Sequence, residues 1–147
     1  MRENRYGGHT VTQLTVHLVW VTKYRYAVLK GDIQLRVREL IRQICDANDV
    51  RILKGVVSRD HVHLHIAKPP SLAESELVRR IKGRTGRKLL IEYPELKKRY
   101  WGGHLWGIGY GAWSTGVVSE ELISEYLEHH RERSNKDDDE AFIIGKD

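Results

Sequence analysis

The sequence has a single cysteine, Cys45, and no long run of apolar residues. One cysteine cannot form an intrachain disulfide, so nothing in the sequence indicates an oxidising compartment. No segment approaches the roughly 20 apolar residues that a membrane-spanning helix requires. The first eight residues, MRENRYGG, also lack the apolar core of a signal peptide. These absences lead us to expect a cytoplasmic protein with no membrane segment.

Positive charge is only slightly in excess, with 25 Lys and Arg residues against 20 Asp and Glu residues. The distribution is more informative, because an acidic run at residues 137–140 leaves the rest of the chain more basic. Six cations fall within ten residues: Arg79, Arg80, Lys82, Arg84, Arg87 and Lys88. This concentration favours a phosphate-bearing partner. On charge alone, a solvated helix face explains it equally well.

The length of 147 residues predicts one domain, which we assign to residues 1–134, followed by a mobile acidic tail over residues 135–147. Alternating apolar residues predict a strand from Val11 to Val21. A helical stripe that begins at Ile33 and ends at Ile44 predicts a helix after Gly31 and Asp32. The β-rich runs 50–57 and 61–67 then predict a hairpin.

The second half of the chain predicts a helix, a strand and a further helix. Ser71 and Glu74 have capping-box spacing, so we expect the basic helix to begin there and to fade near Glu92. A last strand is expected near residues 105–114, and Ser119 can cap a final helix. The order β-α-β-β-α-β plus one helix matches the ferredoxin-like α+β fold, an antiparallel sheet with two helices on one face.

Residues 61–66, HVHLHI, alternate histidine with aliphatic side chains. Side chains two apart in a strand share a face, so the aliphatic set should pack under the helices and the imidazoles should line the open face. His61 and His63 can then bind one divalent ion, although such a pair more often has no metal-binding role. His17 can reach the same face or make a structural hydrogen bond.

The final predicted helix carries one apolar and aromatic stripe, formed by Leu122, Ile123, Tyr126, Leu127 and His130. Tyr126 and His130 lie one turn apart on the same side. If this stripe crosses the open face, His130 can complete a three-ligand site and bring Tyr126 beside the metal. On spacing alone, a core tyrosine beside a helix-terminal histidine is the commoner arrangement. The residues therefore define a candidate nucleophile, a candidate metal site and a basic helix.

The segment DHVHLHI at 60–66 matches the HUH signature, in which a bulky hydrophobic residue separates two histidines. Four further segments follow in the expected order: VHLVWVTKYR at 16–25, IKGRTGRKL at 81–89, LWGIGY at 105–110 and YLEHH at 126–130. Together they resemble the small single-tyrosine HUH transposases of bacterial and archaeal insertion sequences, the TnpA-like group. The resemblance spans roughly residues 9–133.

The resemblance implies that His61 and His63 bind a metal ion and that Tyr126 is the nucleophile. In the family the third ligand is usually a glutamine four residues after the tyrosine. That position is His130 here, with His129 adjacent as an alternative. Mg²⁺ or Mn²⁺ is the implied cofactor, and an imidazole in place of the amide can shift the preference toward softer ions.

The implied partners are single-stranded DNA with end hairpins and a second copy of the chain, whose site the tyrosine helix can serve in trans. Gly116 suits a flexible connector to that helix or an ordinary turn, and Gly86 stands where the family commonly has serine. Candidate phosphate contacts are Lys23, Arg25, Arg79, Arg80, Lys82, Arg84 and Arg87. Candidate base-stacking residues are Trp101, Trp106, Tyr110 and Trp113, of which we expect at least half in the core or an interface.

The implied activity is the cutting and rejoining of single-stranded DNA through a covalent phosphotyrosine intermediate. One alternative is a single-stranded nucleic-acid-binding module without cleavage, but such modules carry exposed aromatic residues rather than histidines on the sheet. Another is a replication-type or conjugative HUH nickase, or a domesticated transposase; the short chain favours a transposase. A third is a structural metal site.

Overall fold

A computed structural model describes residues 5–7, 10–12, 14–114 and 120–130. In chain order its elements are β1 (Arg5–Gly7), β2 (Thr10–Thr12), β3 (Leu14–Val21), α1 (Asp32–Ala47), β4 (Arg51–Val57), β5 (His61–Lys68), α2 (Glu74–Glu92), α3 (Pro94–Arg99), β6 (Gly111–Ser114) and α4 (120–130), with a 3₁₀ turn over Lys23–Arg25. β1 and β2 form a two-stranded sheet, and the other strands form a four-stranded sheet in the order β4-β5-β3-β6.

The four-stranded sheet is antiparallel throughout. Its central strands, β3 and β5, pair over eight residues, from Leu14 opposite Lys68 to Val21 opposite His61. The two flanking strands are the second and fourth of the predicted β-α-β-β-α-β unit, which is the ferredoxin-like order. The predicted fold class is therefore confirmed.

The core lies between one face of this sheet and helices α1 and α2. Even-numbered residues of the central strands, such as Leu18, Trp20 and Leu64, are buried in one cluster with Leu40 of α1 and Ile81 of α2. This arrangement follows from the alternation in β3 and β5, since only one face of each strand can point toward the helices. The opposite face of the sheet is left for other contacts.

The predicted stripe of α1 is the buried face of that helix. Ile33, Val37, Leu40, Ile41 and Ile44 are all buried. The helix begins at Asp32 after Gly31, whose φ of 60° suits a residue without a Cβ, and it ends at Ala47.

The first strand and the start of the basic helix differ from the prediction. Residues 10–12 belong to the separate strand β2, so β3 begins at Leu14 and not at Val11. Ser71 is not the helix cap. The amide of Leu72 donates to the carbonyl of Pro69 at 3.1 Å, which places Ser71 in a turn, and α2 begins at Glu74.

Helix α3 was not predicted, and the last strand is shorter than expected. The basic helix ends at Glu92, as predicted, and Pro94 then begins α3, because proline suits the first turn of a helix, where its missing N–H has no intrahelical partner. β6 covers only Gly111–Ser114, while Trp106 makes an isolated bridge to Thr22.

Several predictions fall outside the residues that the structure describes: the helix cap Ser119, the connector Gly116 and the tail over residues 135–147. Within the described residues, no helix is both long enough and apolar enough to cross a bilayer.

A buried hydrogen bond joins α2 to the glycine-rich segment before β6. The indole N–H of Trp106 donates to the hydroxyl of Thr85 at 2.9 Å, and that hydroxyl donates to the carbonyl of Ile81 at 2.6 Å. The neighbouring Gly86 lies under the same indole, and a Cβ there would be 3.7 Å from Trp106, an ordinary contact. The departure at Gly86 therefore costs helix propensity but leaves room for a serine.

We predict that Thr85→Val destabilises the fold by about 1–3 kcal/mol, because it leaves the buried indole N–H of Trp106 without its acceptor. The free energy of unfolding in urea measures the effect. Thr85→Ser retains the hydroxyl and is the matched control, for which a much smaller loss is expected. Equal losses in the two variants would contradict the role of this hydrogen bond.

Candidate active site

The histidines of β5 occupy the open face of the sheet, as predicted. His61, His63 and His65 are half-buried, whereas the aliphatic residues between them are buried. His17 of β3 lies opposite His65, with the two rings stacked at 4.0 Å between centroids. Its Nδ1 is also 3.0 Å from Nε2 of His63, within hydrogen-bonding distance. His17 therefore both reaches this face and makes a structural hydrogen bond.

Two of these imidazoles, those of His17 and His63, have a lowered pKa, which favours their neutral forms. Burial, followed by the charges of His65 and His63, lowers the pKa of His17 to about 4. Burial is also the largest effect that lowers the pKa of His63, and the carboxylate of Glu120 on α4 opposes it. Neutral imidazole is the form that binds metal ions. Glu120 was not singled out from the sequence, because only the fold brings it near His63.

Asp60 and Arg25 hold His61. Nδ1 of His61 donates to one carboxylate oxygen of Asp60 at 2.9 Å, while Nε and Nη2 of Arg25 donate to the other at 3.1 and 2.8 Å. Burial raises the pKa of Asp60, but the hydrogen bonds from His61 and Arg25 outweigh burial and hold that pKa at about 2. A carboxylate on Nδ1 directs Nε2 outward, which is the usual support of a metal-binding histidine.

The same arginine binds the tyrosine helix. Nη1 of Arg25 donates to the backbone carbonyl of Leu127 at 2.5 Å, and the arginine side chain is only 7% exposed. One buried guanidinium therefore connects the start of β5 with α4. Sequence reasoning assigned Arg25 to DNA and missed Asp60. The only signal for Asp60 was its position directly before His61.

Tyr126 packs over β6 of its own chain. Its ring meets that of Trp113 edge to face at 5.9 Å, and its hydroxyl is buried. A Cβ on Gly111 would lie 3.2 Å from the tyrosine ring, so glycine permits this close approach. The predicted stripe of α4, residues 122, 123, 126, 127 and 130, is the half-buried side of the helix.

The three predicted metal ligands are not gathered around one point. Within residues 14–114 and 120–130, no group of three His, Cys, Asp or Glu side chains is arranged to hold a metal ion. The ring of His130 lies 4.2 Å from that of Tyr126, and its Nδ1 donates to the Tyr126 carbonyl at 3.1 Å. The alternative ligand His129 is exposed. The ligand set of His61, His63 and His130 remains a prediction.

The predicted phosphate contacts on α2 separate into two groups. The side chains of Arg79, Arg80, Arg84 and Arg87 line one groove of about 480 Å³ between α1 and α2. Arg79 and Arg80 also bind the carboxylate of Glu76. Lys82 instead donates to the carbonyls of Gly107 and Gly109 at 2.7 and 3.0 Å, and burial lowers its pKa. Lys82 therefore holds the glycine-rich segment.

The four candidate stacking aromatics have different environments. Trp106 is buried and uses its N–H on Thr85, so it cannot stack on a DNA base. Trp113 packs on Tyr126, and Tyr110 packs against the core. Trp101 is 67% exposed. The expectation that at least half would be structural is confirmed.

Fold and geometry together define an α+β protein that has a histidine-lined sheet face and a tyrosine-bearing helix in contact with Arg25 and β6. Residues 10–130 match the protein family described as "Transposase IS200 like". The ISDra2 transposase TnpA of Deinococcus radiodurans is 32% identical over 131 residues, which cover 89% of this chain and 94% of that protein. The transposase for insertion sequence element IS200 of Salmonella typhimurium is 28% identical, covering 85% and 82%.

Solved structures agree. A Deinococcus radiodurans protein designated as a candidate transposase superimposes with a TM-score of 0.77 at 31% identity, covering 86% of this chain and 97% of that one. A REP-associated tyrosine transposase bound to a REP hairpin has a TM-score of 0.52 at 16% identity, covering 84% and 68%, which shows a shared fold. The chain belongs to the IS200-like transposase family, and the resemblance in the sequence is confirmed.

We predict that the free energy of unfolding decreases as the pH is lowered from about 6.5 toward 4. His17 titrates near 6.5 when unfolded and near 4 when folded, so in this window the unfolded state binds the extra proton. Urea denaturation in EDTA at several pH values measures the slope. His17→Gln should reduce this slope of unfolding free energy against pH. His104→Gln, at an exposed histidine, is the control and should leave the slope unchanged. An unchanged slope in His17→Gln would refute this assignment.

We predict that Arg25→Lys loosens α4 on the sheet, because a single nitrogen replaces the three guanidinium nitrogens that bind the Asp60 carboxylate and the Leu127 carbonyl. Hydrogen bonds to charged groups contribute about 1.5–3 kcal/mol, so amide protection across residues 122–130 should fall roughly ten-fold or more. Hydrogen exchange measures this, with protection in β5 as the internal reference. Arg59→Lys, at an exposed arginine beside Asp60, is the control. Unchanged protection in Arg25→Lys would show that α4 docks without this contact.

Proposed function

We propose that the chain cuts and rejoins single-stranded DNA at insertion-sequence ends, with Tyr126 as the nucleophile. The observation that carries this proposal is the connection of the tyrosine helix to the first histidine of β5. Arg25 connects the backbone of that helix to the Asp60–His61 pair, and Tyr126 lies one residue before the carbonyl that Arg25 binds. Membership in the IS200-like transposase family supports the same activity.

In the proposed reaction the phenol oxygen of Tyr126 attacks the scissile phosphorus. A bond forms between that oxygen and phosphorus, the bond from phosphorus to the 3′ oxygen breaks, and the phenol proton is released as the 3′ oxygen leaves as a hydroxyl. The product is a 5′-phosphotyrosine. Attack by another 3′ hydroxyl reverses the step and joins new strands without ATP, because the covalent link conserves the phosphodiester.

A free phenol has a pKa near ~10, so it needs assistance at neutral pH. We propose that His61, His63 and His130 hold a divalent ion, Mg²⁺ or Mn²⁺, which when bound polarises the scissile phosphate. The chemistry of the donors supports this for His61, since Asp60 accepts from Nδ1 and leaves Nε2 for a ligand bond. Nε2 of His63 lies within hydrogen-bonding distance of Nδ1 of His17. A metal bond through that Nε2 therefore requires this hydrogen bond to break.

We propose that the groove between α1 and α2 contacts the DNA backbone. Its four arginines, Arg79, Arg80, Arg84 and Arg87, lie on the helix side of the sheet, opposite the histidine face. Arg84 and Arg87 are exposed, which suits phosphate contacts, and Arg79 and Arg80 are already engaged by Glu76. End hairpins are the proposed substrate of this groove.

We also propose that the chain acts as a homodimer. In one copy, α4 contacts its own sheet through Arg25, Gly111 and Trp113. Exchange of α4 between two copies would keep each of these contacts but place Tyr126 in the site of the other subunit. The proposal covers both arrangements, since the chemistry at Tyr126 is the same in each.

One alternative has an observation in its favour. A single-stranded DNA-binding module without cleavage would need the arginine groove but no metal site, and the described residues contain no assembled three-ligand group. A replication-type nickase or a domesticated transposase would share the Tyr126 chemistry and differ only in the fate of the cut strand.

We predict that wild-type protein forms a covalent adduct with labelled single-stranded hairpins in Mn²⁺ or Mg²⁺, and that Tyr126→Phe forms none because it lacks the attacking oxygen. Denaturing gel electrophoresis detects the adduct. Tyr93→Phe is the matched control, since Tyr93 lies at the N-terminus of α3, away from the histidine face. EDTA should abolish the reaction. Tight binding without any adduct would favour the binding module.

A further inference from the structure

A second concave site lies outside the histidine face. It is a cavity of about 400 Å³ between the 3₁₀ turn that follows β3 and the region of α3. This volume is within the usual range for small-ligand sites, roughly 300–1,000 Å³. Its lining combines cations with aromatic rings, chiefly Lys23, Lys98, Arg99, Tyr24, Tyr26 and Trp101, and it includes one carboxylate, Glu95.

The inner wall of this cavity is built from aromatic rings in tilted contact with one another. Tyr26 lies 5.3 Å from Tyr24 and 5.6 Å from Tyr100, measured between ring centroids. The guanidinium of Arg99 sits 3.7 Å above the ring of Tyr26, and the hydroxyl of Tyr100 donates to the carbonyl of Lys23 at 3.1 Å. The contacts fix the wall in place and keep positive charge beside it.

Trp101 differs from the other aromatics because it is 67% exposed. It lies two residues after the end of α3, and Lys98, three residues before it, lines the same cavity. A large exposed indole beside cations is the arrangement with which proteins bind unpaired nucleotides, since the base stacks on the ring and the cation neutralises the phosphate.

The backbone of the 3₁₀ turn connects this cavity to the candidate active site. Tyr24 and Arg25 have φ values of 63° and 55°, a left-handed conformation that is uncommon for residues with a Cβ. The side chain of Tyr24 lines the cavity, whereas that of Arg25 binds Asp60 and the Leu127 carbonyl. Two adjacent residues of this turn, Tyr24 and Arg25, therefore contribute one to the cavity and the other to the candidate active site.

We propose that this cavity binds one unpaired nucleotide of the DNA strand that is cut at Tyr126. Its base stacks on Trp101, and its phosphate is neutralised by Lys98 and Lys23. The inference rests on the proposed function in taking single-stranded DNA as the substrate. The cavity would hold the strand at a fixed spacing from the scissile phosphate, so that the bound nucleotide helps to select the position of cleavage.

The test separates binding from cleavage. Fluorescently labelled single-stranded hairpins are titrated in EDTA with proteins that carry Tyr126→Phe, and anisotropy gives the dissociation constant. Adding Trp101→Ala should weaken binding roughly ten-fold, whereas Trp101→Phe should retain most of the affinity. Leu35→Ala, at an exposed apolar residue of α1 that does not line the cavity, should change affinity less than two-fold.

The charge contribution has its own control on the same helix. Lys98 lines the cavity and Lys97 does not, although both are exposed. Lys98→Ala should reduce the slope of log affinity against log salt by about 0.7, the value for one phosphate contact on a single strand. Lys97→Ala should leave the slope unchanged. Equal slopes for Lys97→Ala and Lys98→Ala would overturn the assignment of the phosphate contact.

Abasic scanning of the oligonucleotide identifies the bound base. Removal of the base at one unpaired position should weaken binding as much as Trp101→Ala does, and the two losses should not add when combined. Full affinity of Trp101→Ala, or additive losses at every position, would overturn the proposal. If either of these results is found while wild-type protein still forms a Tyr126-dependent adduct, the nucleotide site is rejected and the proposed function is retained. A single sensitive position without any adduct in wild-type protein would retain the nucleotide site and reject cleavage.

Discussion

The buried guanidinium of Arg25 is the contact on which the arrangement of the candidate site depends. A buried charge must be paired, and removal of one partner is expensive because the other remains desolvated. Arg25 meets this requirement with the Asp60 carboxylate and the Leu127 carbonyl. Asp60 in turn orients His61. The position of the tyrosine helix and the orientation of a candidate metal ligand are therefore set by the same side chain.

The sheet makes this arrangement possible because one face packs against the helices and the other carries the histidines. The helices cover the face formed by residues such as Leu18 and Leu64, and that burial provides the stability of the fold. The other face can therefore carry polar side chains without loss of the core. Burial on this face lowers the pKa of His17 and His63, which favours their neutral forms near pH 7. The core residues and the histidines of the candidate site therefore lie on opposite faces of the two central strands, β3 and β5.

Local periodicity was sufficient to predict the central strands, helix α1 and the histidine face, but not the bounds of the first and last strands. The alternation in residues 61–66 determines which side chains are buried, whatever the neighbours are. Cap chemistry and long-range contacts were less predictable. Ser71 has the spacing of a cap but lies in a turn, and the short helix α3 that begins at Pro94 was not predicted. The network around Arg25 joins residues 35 and 102 positions apart, and only the fold brings them together.

His130 stands where the family usually has glutamine, and the two side chains offer a metal ion different donor atoms. Nδ1 of His130 donates to the carbonyl of Tyr126 in the preceding turn, so a metal ion at this residue would use Nε2. A glutamine at the same position would offer a carbonyl oxygen, which suits hard ions such as Mg²⁺. An imidazole nitrogen is a softer donor, and two further imidazoles at His61 and His63 would make the complete set nitrogen-only. If the proposed set of His61, His63 and His130 binds a metal ion, its all-nitrogen donors would favour Mn²⁺ or a later transition metal over Mg²⁺.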